Sequence, residues 1–207
     1  MRRRWQASAL VAAAMLACSA SAADRTASNK PARWIASWGS AQMTPTGENA
    51  LPEKRDNYTI RQVIRLSAGG TRVRVRFSNA FGREPLVIGA AHLGRPAASG
   101  QAALQPNSSQ ALTFAGQPSV TIAPGAEAYA DAVTMPVAAG ADLAISLYLP
   151  AAPVGQTGHP GSRATSFLIP GNRVADSAPA GAEPSPRWWA IADVEVEAAG
   201  DAATVVA

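Results

Sequence analysis

Two histidines, His92 and His159, are the only imidazoles in the 207-residue sequence. Any base or metal chemistry near neutral pH has to start from them. His92 closes the apolar run Leu86 to Ala91 and reads as a strand-end residue. His159 sits in Gly158-His159-Pro160-Gly161-Ser162-Arg163, a tight loop where a binding role fits better. Neither has a cysteine or acidic cluster at metal-ligand spacing, so no metal and no cofactor is expected. A serine hydrolase needs a nucleophile on a strained turn, a histidine base and oxyanion donors. Ser40, Ser162 and Ser166 lie near glycines or strand ends, but the sequence has no Gly-x-Ser-x-Gly elbow and pairs none of them with a base. No phosphate-cradling glycine loop occurs either. The sequence therefore assigns no catalytic residue.

Aromatic side chains are the remaining candidates. Trp34, Trp38, Trp188 and Trp189 belong to strand-like runs, and an exposed indole can stack on a sugar. The binding candidates are His159, Arg163, Trp188 and Trp189. Neighbours on a strand point to opposite faces, so one of Trp188 and Trp189 belongs to a core. Core packing is the structural alternative for the whole set. A flat, exposed array of two or three rings would favour binding, whereas a broad apolar patch near the C-terminus would favour a domain interface.

The elements that must position these residues are strands. In Thr71-Arg72-Val73-Arg74-Val75-Arg76-Phe77 the apolar and basic residues alternate without exception, as in a strand with one buried face. The three arginines could form a polyanion site; a solvated strand face is the plainer reading. The run Tyr58 to Leu66 precedes it, and Ser67-Ala68-Gly69-Gly70 between them predicts a hairpin whose glycines take positive φ. Leu143 to Leu149 alternates as cleanly. Further strands are expected over Trp34 to Trp38, Leu86 to Leu93, Ala111 to Phe114, Ser119 to Ile122, Ala128 to Val133, Arg163 to Leu168 and Trp188 to Glu197. Gly94 to Ser109 and Asp176 to Pro186 read as loops. Nine or ten short strands and no helical periodicity predict an all-β fold, a two-sheet antiparallel β-sandwich of jelly-roll type.

Composition agrees with a turn-rich domain: 17 glycines and 16 prolines exceed average usage but stay below the low-complexity range. Arg2-Arg3-Arg4, the apolar stretch Ala9 to Ala17 and Ala20-Ser21-Ala22 have the layout of a secretory signal over residues 1–22. A lipoprotein signal at Cys18 and a twin-arginine signal are the alternatives. The apolar stretch is too short for a transmembrane span. Cleavage would remove three arginines and no acid, taking the formal charge from +4 to about +1, which leaves no basic footprint for nucleic acid. It would also remove the only cysteine, so no disulfide is expected. Residues 23–33 read as a flexible lead-in, 34–197 as the sandwich and 198–207 as a linker and a further strand. The expected location is secreted or periplasmic.

Several strings resemble the N-terminal region of secreted SGNH/GDSL-type hydrolases, a group of esterases and acylhydrolases. They are Trp34-Ile35-Ala36-Ser37-Trp38-Gly39-Ser40, Ile60 to Gly70, Arg72 to Gly82, Pro85 to Ala91, Thr157 to Ser166, and Asp193-Val194-Glu195-Val196. The likeness covers most of the chain, in order. It implies a β-sandwich placed before an α/β catalytic domain that opens with a hydrophobic strand running into Gly-Asp-Ser and ends with Asp-x-x-His. Neither motif occurs here, so no catalytic residue carries over. Ala203-Thr204-Val205-Val206-Ala207 is similar to the first strand of that domain, and its apolar character suits a buried parallel sheet. The resemblance implies the accessory domain of an exported ester hydrolase, with the absent C-terminal SGNH catalytic domain as partner and an ester or carbohydrate as substrate. A free-standing carbohydrate- or surface-binding module, or a purely structural domain, are the other expectations.

Overall fold

The computed structural model describes residues 33–51 and 56–198. The signal-peptide reading, most of the lead-in and the 199–207 segment lie outside the described residues. Fifteen strands occur among the described residues. They are β1 (Arg33–Gly39), β2 (Tyr58–Arg65), β3 (Gly70–Ser78), β4 (Leu86–Ile88) and β5 (Ala90–Gly94). Next come β6 (Gln110–Leu112), β7 (Val120–Ile122), β8 (Glu127–Tyr129), β9 (Val133–Val137) and β10 (Asp142–Leu149). The last are β11 (Gly158–Pro160), β12 (Ser166–Pro170), β13 (Glu183–Ser185), β14 (Arg187–Trp189) and β15 (Ile191–Ala198). The only helical element described is a single 3-10 turn, Gly47–Asn49. No helix among these residues is long and apolar enough to cross a membrane.

The fold is an all-β sandwich. One sheet runs β1-β15-β3-β8, with β9 also on β3, and the other runs β13-β12-β2-β10-β5-β6. Every pairing is antiparallel. Val73, Val75 and Phe77 of β3 and Val194 and Val196 of β15 meet Ile60 and Ile64 of β2 and Leu143, Ile145 and Leu147 of β10 in one core. The alternation of β3 and β10 in the sequence is this inward face.

The β2 strand does not alternate, because it is buried on both faces. Its outer face carries Val63, which packs with Ala144, Phe167, Ile169 and the loop residue Leu104. Arg61 lies on the same side and is wholly buried. Its guanidinium donates to Ser146 Oγ at 2.8 Å and to the carbonyls of Ala102 (2.6 Å), Arg173 (3.0 Å), Val174 (3.3 Å) and Asp176 (2.8 Å). One arginine thus ties two loops to the sheet by charge-assisted hydrogen bonds. Burial lowers its pKa to about 10, although Asp176 acts in the opposite direction.

Two expectations are corrected. β2 and β3 are not a hairpin: they lie in opposite sheets, and the link between them crosses the sandwich. Ser37 of β1 holds that link, its Oγ donating to Ala68 O at 2.7 Å and accepting from Ala68 N–H at 3.0 Å. Gly69 and Gly70 are not among the positive-φ residues. They are required by close approach, since a Cβ would stand 2.7 Å from Val137 O at Gly69 and 2.7 Å from Glu197 O at Gly70. Second, Leu86 to Leu93 is two strands. β4 forms a small ribbon with β7, and β5 joins the six-stranded sheet. The break falls at Gly89, where a Cβ would meet Tyr148 and Pro150 at 3.0 Å.

Candidate functional site

Three segments far apart in sequence meet at the end of the sandwich where β15 begins. Asn79, directly after β3, is buried, and its amide donates to Glu84 O at 2.9 Å and Ile122 O at 3.0 Å. Gly82 is required beside it, because a Cβ there would overlap the Asn79 side chain. This anchored turn presents Phe81, whose N–H donates to Thr157 Oγ1 at 2.8 Å. Thr157 O in turn accepts from Ala190 N–H at 2.9 Å. Ser40 Oγ and Gln42 Nε2 donate to Ile191 O at 3.0 and 2.8 Å, and Met43 pairs with Gly158. Met43, Phe81 and Val154 are 48%, 43% and 49% exposed, and Phe81 and Val154 line one cleft, an unusual state for large apolar side chains.

The ribbon of β11 and β14 stands beside this end and fixes the aromatic candidates. His159 lies directly opposite Trp188, and Gly158 opposite Trp189. The two tryptophans part as their adjacency requires. Trp189 is core, 2% exposed; the Gln62 amide accepts from its N–H at 2.6 Å and donates to its carbonyl at 2.8 Å. It therefore does not belong to a binding surface, which corrects its place among the candidates. Trp188 is half-buried, and its Nε1–H donates to Val63 O at 3.2 Å. His159 stacks on it at 5.8 Å between centroids, while Trp38 meets it edge-on at 4.8 Å and 86°. His159 Nδ1–H donates to Ala41 O at 2.7 Å, which holds the ring in place against Trp188. The rings form a corner, not the flat array expected of a sugar-stacking platform.

This corner opens into a groove of about 490 Å³, lined by Trp38, Trp188, Val63 and Ile64 and flanked by Ser99 to Gly100 and Ser162 to Thr165. Arg163 stands on its rim, exposed, with φ +52°. A left-handed backbone costs a non-glycine residue roughly 1–2 kcal/mol. The expected strand over Arg163 to Leu168 thus starts only at Ser166. Arg65 closes the groove in a bidentate pair with Asp142 (2.8 and 3.1 Å). The structure brings His159, Arg163 and Trp188 together and adds Trp38, whose place no local pattern gives.

The three arginines of β3 are not a free basic face. Across the strand pair Arg72 faces Glu197, Arg74 faces Glu195 and Arg76 faces Asp193, and each is ion-paired with the residue opposite. Arg76 also reaches Glu127 at 2.9 Å. Arg74 is sandwiched by the Trp34 and Tyr129 rings, at 4.4 and 4.7 Å. Cation–π contacts and matched carboxylates account for all three charges. Burial raises the Asp193 pKa, and Arg76 opposes that rise.

One pair escaped the sequence reading. His92 Nδ1 lies 2.9 Å from Ser109 Oγ across β5 and the start of β6. Burial, aided by the nearby Arg61 charge, lowers the His92 pKa and favours the neutral ring. Among the described residues no carboxylate hydrogen-bonds to His92, so the pair lacks the third member that orients a catalytic base. No group of three His, Cys, Asp or Glu among them could hold a metal ion. Compared with known proteins, the sequence matches no protein-family model and gives no significant match to a curated protein.

Proposed function

We propose that this chain is an exported accessory β-sandwich of an SGNH/GDSL-type ester hydrolase, a domain that supports an α/β catalytic partner and carries no hydrolytic centre of its own. The observation that carries this reading is the convergence at one end of the sandwich. Two of the strings that resemble the hydrolases, Arg72 to Gly82 and Thr157 to Ser166, are bonded to each other through Phe81 N–H and Thr157 Oγ1, and the residues just after a third, Trp34 to Ser40, pair at Met43 with Gly158. Their rim exposes Met43, Phe81 and Val154, which suits the contact face of a neighbouring domain. The signal-like residues 1–22 support export to a secreted or periplasmic location. The absence of Gly-Asp-Ser and Asp-x-x-His from the sequence supports inactivity of this chain alone.

An esterase assay tests this directly. The purified chain is expected to hydrolyse p-nitrophenyl acetate no faster than buffer. Turnover that a serine-directed inhibitor abolishes would overturn the reading. Ser109→Ala would then show whether the His92–Ser109 pair is responsible.

A further inference from the structure

The groove beside Trp188 has a composition that the accessory role does not use. Its aromatic lining is Trp38 and Trp188, with Val63 beside them. Its far end is the Arg65–Asp142 pair, which is bidentate within itself and solvent-exposed on the arginine side. Such a pair is neutral overall and offers both donors and acceptors to hydroxyl groups. Ser99 and Thr165 add hydroxyls along the walls. About 490 Å³ falls within the range of small-molecule sites, about 300–1,000 Å³.

The rim holds the one feature that needs explaining. Of the two arginines that line the groove, Arg65 is matched by Asp142, whereas Arg163 makes no ion pair among the described residues, a state that Arg83 and Arg95 share elsewhere. It occupies a left-handed backbone position, while Gly161, two residues earlier, takes φ +68° without penalty. A glycine would satisfy the turn at Arg163 too. Keeping a long cationic side chain on a strained backbone beside a groove is the pattern of a binding residue.

We propose that this groove binds an acidic saccharide, with Arg163 pairing the sugar carboxylate. The Trp38–Trp188 corner covers the apolar edge of the ring, and Arg65, Asp142, Ser99 and Thr165 meet its hydroxyls. The assignment rests on charge complementarity: the groove has one unmatched positive charge and otherwise balanced polar groups. An arginine fork fits a carboxylate in two parallel hydrogen bonds. This goes beyond the accessory role and stands whether or not a hydrolase domain is present.

Titration with oligogalacturonides, followed by tryptophan fluorescence and calorimetry, tests it. Saturable binding is expected, at least about tenfold tighter than to neutral galacto-oligosaccharides of the same length. Arg163→Gly is expected to weaken binding of the acidic sugar about tenfold or more and to leave the neutral sugar unaffected. It also relieves the backbone, so its melting temperature should be no lower than the parent's. Absence of binding, equal affinity for both sugars, unchanged affinity in Arg163→Gly, or equally tight binding of a poly-glutamate peptide would each overturn the proposal.

Discussion

Replacing Arg61 with methionine should loosen two loops and remove a large part of the domain's stability. The guanidinium serves five acceptors. Two of those bonds, to Ser146 Oγ and Val174 O, are buried. The other three are part-buried, and their acceptors can meet water if the loops shift. An orphaned buried acceptor costs about 1–3 kcal/mol, so the two buried ones account for about 2–6 kcal/mol. Removing a desolvated charge works the other way and recovers part of this. The net loss expected is about 2–4 kcal/mol, against a typical domain total of about 5–15 kcal/mol. Arg61→Lys should also destabilise, because an ammonium cannot span acceptors set around a planar fork. Urea unfolding followed by tryptophan fluorescence gives the magnitude. Hydrogen exchange at the Leu104 amide, which donates to Ser177 O at 2.7 Å and joins the two loops, gives the location. A loss below about 0.5 kcal/mol with unchanged protection at Leu104 would refute the claim that this arginine organises the covered face.

Other predictions follow from the same geometry. Gly70→Ala should cost about 2–4 kcal/mol, since its Cβ would press on Glu197 O and Val196. Gly140→Ala, at φ +78° in open space, should cost about 1 kcal/mol; equal unfolding free energies for the two variants would contradict the distinction between steric and torsional need. Asp193 has a folded pKa above its ordinary 3.8, so the folded state binds this proton more tightly. Its contribution is therefore most favourable below that value and is lost as pH rises through the raised folded pKa. Asp193→Asn should flatten the fall in urea midpoint above pH 3.8, and an unchanged slope would show that Arg76 fully offsets the burial. Asp131 has the opposite sign. The Thr113 hydroxyl and the Gly116 and Ala115 amides hold its pKa down, so its contribution is lost as pH falls, and Asp131→Ala should speed exchange at the Gly116 amide.

Much of the fold was legible in local sequence pattern, and what was missed depended on distant partners. β3 could be read because one face lies in the core and the other carries arginines, and β10 because its covered outer face is built from small or polar residues, Ala144 and Ser146, that keep the alternation visible. β2 hid its strand period because loops bury its outer face around Arg61 and Val63. The Gly69-Gly70 signal was real but ambiguous: glycine serves positive φ and close approach equally, and only the positions of Val137 and Glu197 decide between them. Ribbons of three residues such as β4 and β11 are too short for any period to show. At the site, Trp188, His159 and Arg163 were singled out from adjacency and loop chemistry, and the structure shows only where they stand. Trp38 and the Ser109–His92 contact needed tertiary neighbours from other strands. The burial of Trp189 rather than Trp188 was a choice the sequence left open.

If this sandwich works beside an SGNH-type catalytic domain, the coding DNA that follows the codon for Ala207 should carry the mark of that domain. A hydrophobic strand running into Gly-Asp-Ser, in frame or after a frameshift, with Asp-x-x-His further on, is the expected sequence. Downstream DNA that encodes neither motif in any frame would contradict the proposed partnership.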